Sequence, residues 1–392
     1  MSELEKLLDG VSVEWKALGD VAEIIRGVRI TKKDLLPNGK YPVVSGGTGY
    51  MGYLNHYNRK ANTITIAQYG TAGYVKWQTE KFWANDICYS IEPNTGIILN
   101  RYLYFYLINK QQYLYDISNR TAVPYNIERN KILNIQIPIP PLEIQQKIVD
   151  ILDTFTELTT ELTTELTARK QQYNYYREQL FAFDENEVQH LPMGDESIGE
   201  FQRGKRFVKT DLLTEGVPTI HYGEMYTHYG TWADTTKSFV SEELVKNKNL
   251  RVAQKNDVVI VAAGETIEDI GMGTAWLGDE GVVIHDACFS YKTSLNPKFV
   301  AYFTRTKQFH DQIKKYISSG KISAINSKGL GKAIIPIPSP EEQARIVSIL
   351  DKFDILTNSI SEGLPKEIEL RQKQYEYYRD LLLTFPKDNV EA

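Results

Sequence analysis

A chain of 392 residues, 42% hydrophobic and 24% charged, has room for two or three domains with buried cores. No apolar run approaches the roughly 20 residues of a membrane span, the acidic N-terminus lacks a signal-peptide core, and Cys88 and Cys288 form neither a metal-ligand spacing nor a disulfide framework, which points to the reducing cytoplasm. The net charge of −5 argues against indiscriminate DNA binding, so any polyanion contact must rest on local patches.

Residues 1–140 hold 16 basic and 12 acidic side chains and form the one globular segment that is basic overall. Tyr41-Pro-Val-Val44 and Thr63-Ile-Thr-Ile66 are short apolar runs among turn residues and read as strands. Gly47-Thr-Gly49-Tyr-Met-Gly52 has the spacing of a dinucleotide fingerprint. The adjoining Tyr53–Arg59 has no helical pattern, so a phosphate would find no helix N-terminus, and a flexible loop is the better reading. Ile137-Pro-Ile-Pro140 closes the segment; its prolines stop the strand and force an extended entry into the next element.

Residues 141–183 hold 4 basic and 7 acidic side chains and read as one helix. Ile144, Ile148, Ile151, Phe155, Leu158, Leu162, Leu166, Tyr173, Tyr176 and Leu180 stand at steps of three, four or their sums, a heptad-like stripe. Three tandem Thr-Glu-Leu-Thr units fill 156–167. Residues 184–338 hold 18 basic and 20 acidic side chains, with strand-like Asp257–Val261 and Gly281–Ile284. His221 and His228 have no third ligand nearby in sequence, so no metal site is expected. Residues 339–392, with 7 basic and 11 acidic side chains, open on Ser339-Pro-Glu-Glu342, a capping box with proline at the first helical position. Their stripe runs Ile346, Ile349, Phe353, Leu356, Ile360, Leu364, Ile368, Tyr375, Tyr378, Leu382. Gly363-Leu-Pro365 interrupts it and predicts a kink or short break.

An internal repeat sets the plan. Ile137–Phe155 returns as Ile335–Phe353 with 12 of 19 positions identical at an offset of 198. Arg169-Lys-Gln-Gln-Tyr-Asn-Tyr-Tyr-Arg177 returns as Arg371-Gln-Lys-Gln-Tyr-Glu-Tyr-Tyr-Arg379 at an offset of 202, so the second copy carries four extra residues, about one helical turn. The globular segments echo each other faintly. Gly19-Asp20, Arg26-Gly27 and Asp34-Leu-Leu36 match Gly194-Asp195, Arg203-Gly204 and Asp211-Leu-Leu213, and Asp86–Ser90 matches Asp286–Ser290. Both cysteines occupy one repeat position, which favours buried structural thiols. The expected fold class is α+β: two small domains, 1–140 and 184–338, separated by two long helices, 141–183 and 339–392, that form an antiparallel coiled coil in a pseudo-two-fold repeat.

These helix starts (Ile-Pro-Ile-Pro…Glu-x-Gln…Ile-Val-x-Ile-Leu-Asp at 137–155 and 335–353) and helix ends (Tyr-x-Tyr-Tyr-Arg at 173–177 and 375–379) resemble the specificity subunit of type I restriction–modification systems, over essentially the whole chain. The resemblance implies two target-recognition domains, each reading one half of a split sequence in double-stranded DNA. It also implies a helical spacer, binding of two methyltransferase subunits, and restriction/translocase subunits in the full complex. Methylation, ATP hydrolysis and cleavage would reside in those partners, with S-adenosylmethionine, ATP and Mg2+, and no cofactor would belong to this chain. In keeping with that, the sequence holds no Asp/Asn-Pro-Pro-Tyr/Phe methyltransferase motif and no phosphate-binding loop.

Candidate DNA-reading residues lie in loops that mix glycine, amides, aromatics and cations. In the first domain they are Arg26, Arg29, Lys32, Lys33, Ser45, Thr48, Tyr50, Gln68, Tyr69 and Thr71. In the second they are Arg203, Lys205, Arg206, Lys209, His221, Tyr222, Glu265 and Thr266. Arginine and lysine suit phosphates and guanine edges, and glutamine suits adenine. Ordinary solvated loops are at least as good a reading for any one of them, except that the Arg26/Arg29 and Arg203/Arg206 clusters recur at one repeat position. Ile148, Ile151, Phe155, Leu158, Leu162, Ile346, Ile349, Phe353, Leu356 and Ile360 are the candidate helix seam, on which the paired tyrosines also fall and pack. The rival function is an architectural coiled-coil protein whose globular ends bind other proteins. An intrinsic nuclease, lacking an acidic cluster, stands well behind both.

Overall fold

A computed structural model describes residues 7–8, 10–184, 186–359 and 361–386, except the side chain of Tyr226. The chain divides into two compact units, residues 1–163 with 367–392, and residues 164–366.

In the first unit Ala22–Arg26, Cys88–Pro93, Thr63–Ala67 and Val75–Gln78 make an antiparallel four-stranded sheet in that order. Every residue of Thr63–Ala67 is buried, because the β-branched run is covered on both faces. Helix Asn100–Asn109 packs on this sheet, burying Tyr102, Leu103, Phe105, Tyr106 and Leu107. A smaller sheet joins Tyr50–Leu54, Tyr41–Val44 and Trp83–Ala84. The fingerprint-like glycines therefore lie in the turn and second strand of a hairpin, with no helix after them; Gly52 belongs to the strand rather than to a flexible loop.

The second unit repeats this frame with insertions. Its larger sheet runs Gly199–Arg203, Cys288–Thr293, Val258–Val261, Gly273–Trp276, Trp232–Ala233, and its smaller one Ser238–Val240, Val217–Ile220, Val282–Ile284, Val252–Ala253. Helix Pro297–Phe303 takes the place of Asn100–Asn109. Cys88 and Cys288 are fully buried, and burial pushes both thiols up to about 12, so neither ionises near neutral pH.

Each unit closes on a two-stranded sheet, Glu14–Ala17 with Gln136–Ile139 and Gln189–Pro192 with Ile334–Ile337. The first proline of each Ile-Pro-Ile-Pro stands inside its strand, opposite Trp15 or His190, rather than stopping it. A two-stranded sheet is all edge, where a missing N–H is tolerated. Only the second proline ends the strand and delivers the chain to the helix.

Helix Leu142–Leu180 spans 39 residues. Its start docks on the first unit through buried Ile148, Val149 and Leu152, while Phe155 stacks on Tyr378 at 5.3 Å. Leu382, Leu383 and Phe385 are buried in the same core, so the two helices run antiparallel there. In the second unit Ile346, Val347 and Leu350 are buried, and Phe353 stacks on Tyr173 and Tyr176 at 6.0 and 5.6 Å. Phe181 lies in that core, again an antiparallel pairing. Ile151, Leu158, Leu162, Ile349 and Leu356 are half-buried; Ile360 lies outside the described residues. The second helix is two pieces, Pro340–Asn358 and Gly363–Leu383, as Gly363-Leu-Pro365 predicts. Gly363 has φ +76, and a Cβ there would stand 2.3 Å from the Ile355 carbonyl. Ser339 caps the first piece by accepting from the Glu342 N–H at 3.3 Å. The reciprocal arm of the expected capping box is absent, because the Glu342 carboxylate pairs with Arg345 at 2.6 and 2.7 Å instead.

One pair of buried side chains ties each helix start to its domain. Gln145 donates to the Pro140 and Ile97 carbonyls at 2.8 and 3.0 Å and accepts from the Leu99 N–H at 2.8 Å. Gln343 donates to the Pro338 carbonyl at 2.9 Å and accepts from the Asn296 N–H at 2.9 Å. The shared frame of the repeat is thus a hydrogen-bonded joint as well as an apolar seam.

Candidate nucleic-acid interface

In the second unit, strand Gly199–Arg203 pairs with Cys288–Thr293 and ends at Arg203, opposite Phe289. The chain turns there because Gly204 donates its N–H to the Cys288 carbonyl at 3.0 Å. A Cβ on Gly204 would lie 2.1 Å from the His285 carbonyl, so no other residue fits. Arg203 Nε donates to the Asp286 carbonyl at 2.9 Å. Beyond the turn, a single helical turn, Lys209–Asp211, is stabilised by the Asp211 carboxylate. It accepts from the Val208 N–H at 2.9 Å and pairs with Lys248 at 3.3 Å, and these bonds, the backbone one foremost, hold its carboxyl below the ordinary carboxylate value.

Strand Val217–Ile220 is followed by His221, which caps the short helix Tyr222–Thr227. Ala263–Gly264, paired with Ser323–Ala324, makes a further wall. These elements enclose a cleft of about 480 Å³. Six of the eight sequence candidates line it: Arg203, Arg206, Lys209, His221, Tyr222 and Glu265. The other two do not. Lys205 reaches the Lys248 carbonyl at 3.4 Å, and Thr266 begins the turn Ile267–Asp269. Phe207, His285 and Ile322 also line the cleft, and no sequence pattern singles them out.

The first unit places its candidates on the same frame. Gly27 donates to the Cys88 carbonyl at 3.0 Å, a Cβ there would lie 2.1 Å from the Asn85 carbonyl, and Arg26 Nε donates to the Asp86 carbonyl at 2.7 Å. Lys32 and Lys33 are exposed on the turn Lys32–Asp34, where Thr31 donates its N–H and hydroxyl to Asp34 at 2.7 and 2.8 Å. Those bonds keep the Asp34 carboxyl below its ordinary value. Arg29 is exposed between them. Ser45 accepts from Asn85 Nδ2 at 3.5 Å, and Thr71 donates its N–H and hydroxyl to the Gly46 carbonyl at 2.8 and 2.7 Å. Thr48 and exposed Tyr50 share Lys76, whose Nζ donates to the Thr48 carbonyl at 3.3 Å and lies 4.5 Å from the Tyr50 ring centroid. Gln68 is turned inward, with a buried side-chain carbonyl that has no partner among the described residues.

One loop in each unit joins these candidates without having been expected from the sequence. Asn119–Asn126 pairs with itself and with Tyr69. It carries Arg120 stacked on Tyr115 and Tyr125 at 4.8 and 5.1 Å, and a Val123 that is 97% exposed. Ser318–Ala324 is built the same way beside Ala263 and presents Ile322, 63% exposed. Each is a Gly- or Pro-bearing stretch with a cation between two helical runs, but nothing local relates it to Tyr69 or to the Ala263–Gly264 strand beside which it lies. No group of three or more His, Cys, Asp or Glu side chains among the described residues could hold a metal ion, and none of the described helices is long and apolar enough to cross a membrane.

The family model described as the type I restriction modification DNA specificity domain matches twice, at residues 11–169 and 195–370. A type I restriction enzyme specificity subunit of Escherichia coli is 36% identical over 411 residues, covering 99% of this chain and 98% of its own. A second, the EcoprrI specificity subunit of Escherichia coli, is 26% identical with 92% of each chain covered. Among solved structures, the S subunit of a type I system from M. genitalium superposes with a TM-score of 0.60 at 18% identity, over 99% of this chain and 100% of that one, a likeness of fold. With duplicated frame, paired helix starts and full-length similarity in agreement, the chain belongs to the type I restriction–modification DNA specificity family.

Proposed function

We propose that this chain is the sequence-reading subunit of a type I restriction–modification complex, with residues 1–140 and 184–338 each reading one half of a bipartite, asymmetric site in duplex DNA. Residues 141–183 and 339–392 act as the spacer between readers. The observation that carries this reading is one frame used twice with different linings: a glycine turn, an arginine held on a backbone carbonyl and a lysine-bearing helical turn recur, while the residues around them differ. Shared cations suit the phosphates common to any duplex, and differing linings suit two different half-sites. The duplicated helix starts offer equivalent surfaces to two copies of a methyltransferase subunit. Restriction/translocase subunits join in the full complex, and S-adenosylmethionine, ATP and Mg2+ serve those partners in the cytoplasm. This chain positions them and carries out no chemistry. The purely architectural alternative leaves the recurrence of the basic turns without a purpose. The test is the genome-wide methylation pattern with and without the gene. One split motif with an unread gap should vanish on deletion; a pattern that persists unchanged contradicts the assignment.

A further inference from the structure

The strand registers align the interiors of the two readers residue by residue. Val44 pairs in parallel with Ala84, and Ile220 with Ile284, so the next residues correspond: Ser45 with His221, and Asn85 with His285. In the first unit this pair is a hydroxyl and an amide, 3.5 Å apart. In the second it is two imidazoles with centroids 4.8 Å apart, set against Phe207 and Tyr222.

The two imidazoles are not equivalent. His285 is saturated: Nε2 donates to the Phe207 carbonyl at 2.9 Å, and Nδ1 accepts from the Ala287 N–H at 3.1 Å. His221 uses only one nitrogen. Its Nδ1 accepts from the Gly223 N–H at 3.3 Å, while its backbone N–H donates to Glu224 at 3.2 Å, and Glu224 is in turn held by the Ser238 hydroxyl. An Nδ1 that accepts leaves the proton on Nε2, and Nε2 has no hydrogen-bond partner among the described residues. Burial and the neighbouring His285 both favour the neutral ring. The cleft therefore holds one fixed, uncharged N–H donor inside a rim of Arg203, Arg206 and Lys209.

We propose that His221 is a specificity-determining residue of the second reader, its Nε2–H donating to the N7 acceptor of one purine in the major groove of the second half-site. This rests on the second cleft being a DNA reader. The rim supplies the cations that phosphates need, whereas an uncharged donor set deeper in an aromatic cleft suits an acceptor on a base edge, and N7 is the major-groove acceptor that both purines share. Ser45 is too short to do the same in the first reader, where its hydroxyl accepts from Asn85 Nδ2 at 3.5 Å.

The test uses the full chain assembled with its methyltransferase subunits on its own duplex, with each purine of the second half-site replaced in turn by its 7-deaza analogue. The wild type should lose about 5- to 10-fold in affinity at one position. His221→Ser, which still caps the helix, should show no loss on replacement there and unchanged losses elsewhere. His221→Gly, which a helix N-cap also tolerates and which carries no side-chain donor, repeats the measurement if the serine variant fails to assemble. An identical penalty profile in wild type and variants overturns the proposal, as does a variant weakened equally on every duplex, the mark of a phosphate contact. A wild type indifferent to every base change in the second half-site would instead overturn the reading of that unit as a DNA reader.

Discussion

Arg203 and Arg206 share the rim of one cleft, yet the structure gives Arg203 a second task, since its Nε is spent on the Asp286 carbonyl. Replacing both by alanine should weaken DNA binding and flatten the log–log dependence of affinity on salt by about two units, one per lost phosphate contact. Binding isotherms at several salt concentrations decide it; an unchanged slope returns both residues to ordinary solvated loops. The histidines give a prediction in pH. Burial is the first cause holding both His221 and His285 below the ordinary 6.5, with Asp286 and, for His221, Glu224 opposing it, and Lys209 or Arg206 reinforcing it. The unfolded chain therefore takes up protons first as pH falls below about 6.5, and the second unit loses stability from there down to the folded values, keeping it in full above. Thermal melts at pH 7.5 and 5.5 should show that loss, and His221→Ser with His285→Asn, the first unit's own residues, should shrink it; an equal loss in the variant contradicts the assignment. The basic clusters were legible in the sequence because arginine and glycine recur together. His285 was not, because its importance comes from a strand register that places it beside His221, 64 residues away in sequence.

At the scale of the element, the helix starts owe their attachment to Gln145 and Gln343. Gln343→Leu leaves the Asn296 N–H and the Pro338 carbonyl without the partners they have now, a cost of about 2–4 kcal/mol. Urea unfolding of the full chain reads it; a change within about 0.5 kcal/mol would show that water replaces the side chain freely. Steps of three and four disclosed the helices but not which of two apolar faces each residue serves. Ile148 and Ile346 turn out to belong to the domain cores, while Phe155 and Phe353 stack against the other helix. Gly363-Leu-Pro365 was legible as a break because proline has no N–H to continue the ladder. In the first helix the threonines of the tandem units, such as Thr159 and Thr163, donate to carbonyls four residues back at 2.8 and 2.7 Å, so each unit is nearly one closed turn. Deleting Thr160–Thr163 removes about 6 Å of helix and rotates the distal part by about 40°, so the apolar seam can re-pair. With DNA rising about 3.4 Å per base pair, the methylated motif should keep both halves and lose one or two base pairs of its unread gap. An active complex with an unchanged gap would show that this helix does not set the spacing.

For the whole molecule, duplication is the organising fact, and an offset of 198 residues makes it legible in the sequence. The sheets were less accessible. Short strands such as Val258–Val261 could be recognised by their β-branched runs, but Val259 pairs with Thr274 on one side and Ser290 on the other, an order that no local pattern encodes. Because each unit has its own core and its own hydrogen-bonded joint to a helix start, the two readers should be exchangeable. Methylome sequencing after residues 184–338 are replaced by the corresponding segment of a relative with a different target decides whether each unit reads its own half-site. One half of the methylated motif should change, while the other half and the gap stay as they were. A motif that changes in both halves, or in neither while the complex remains active, would contradict it.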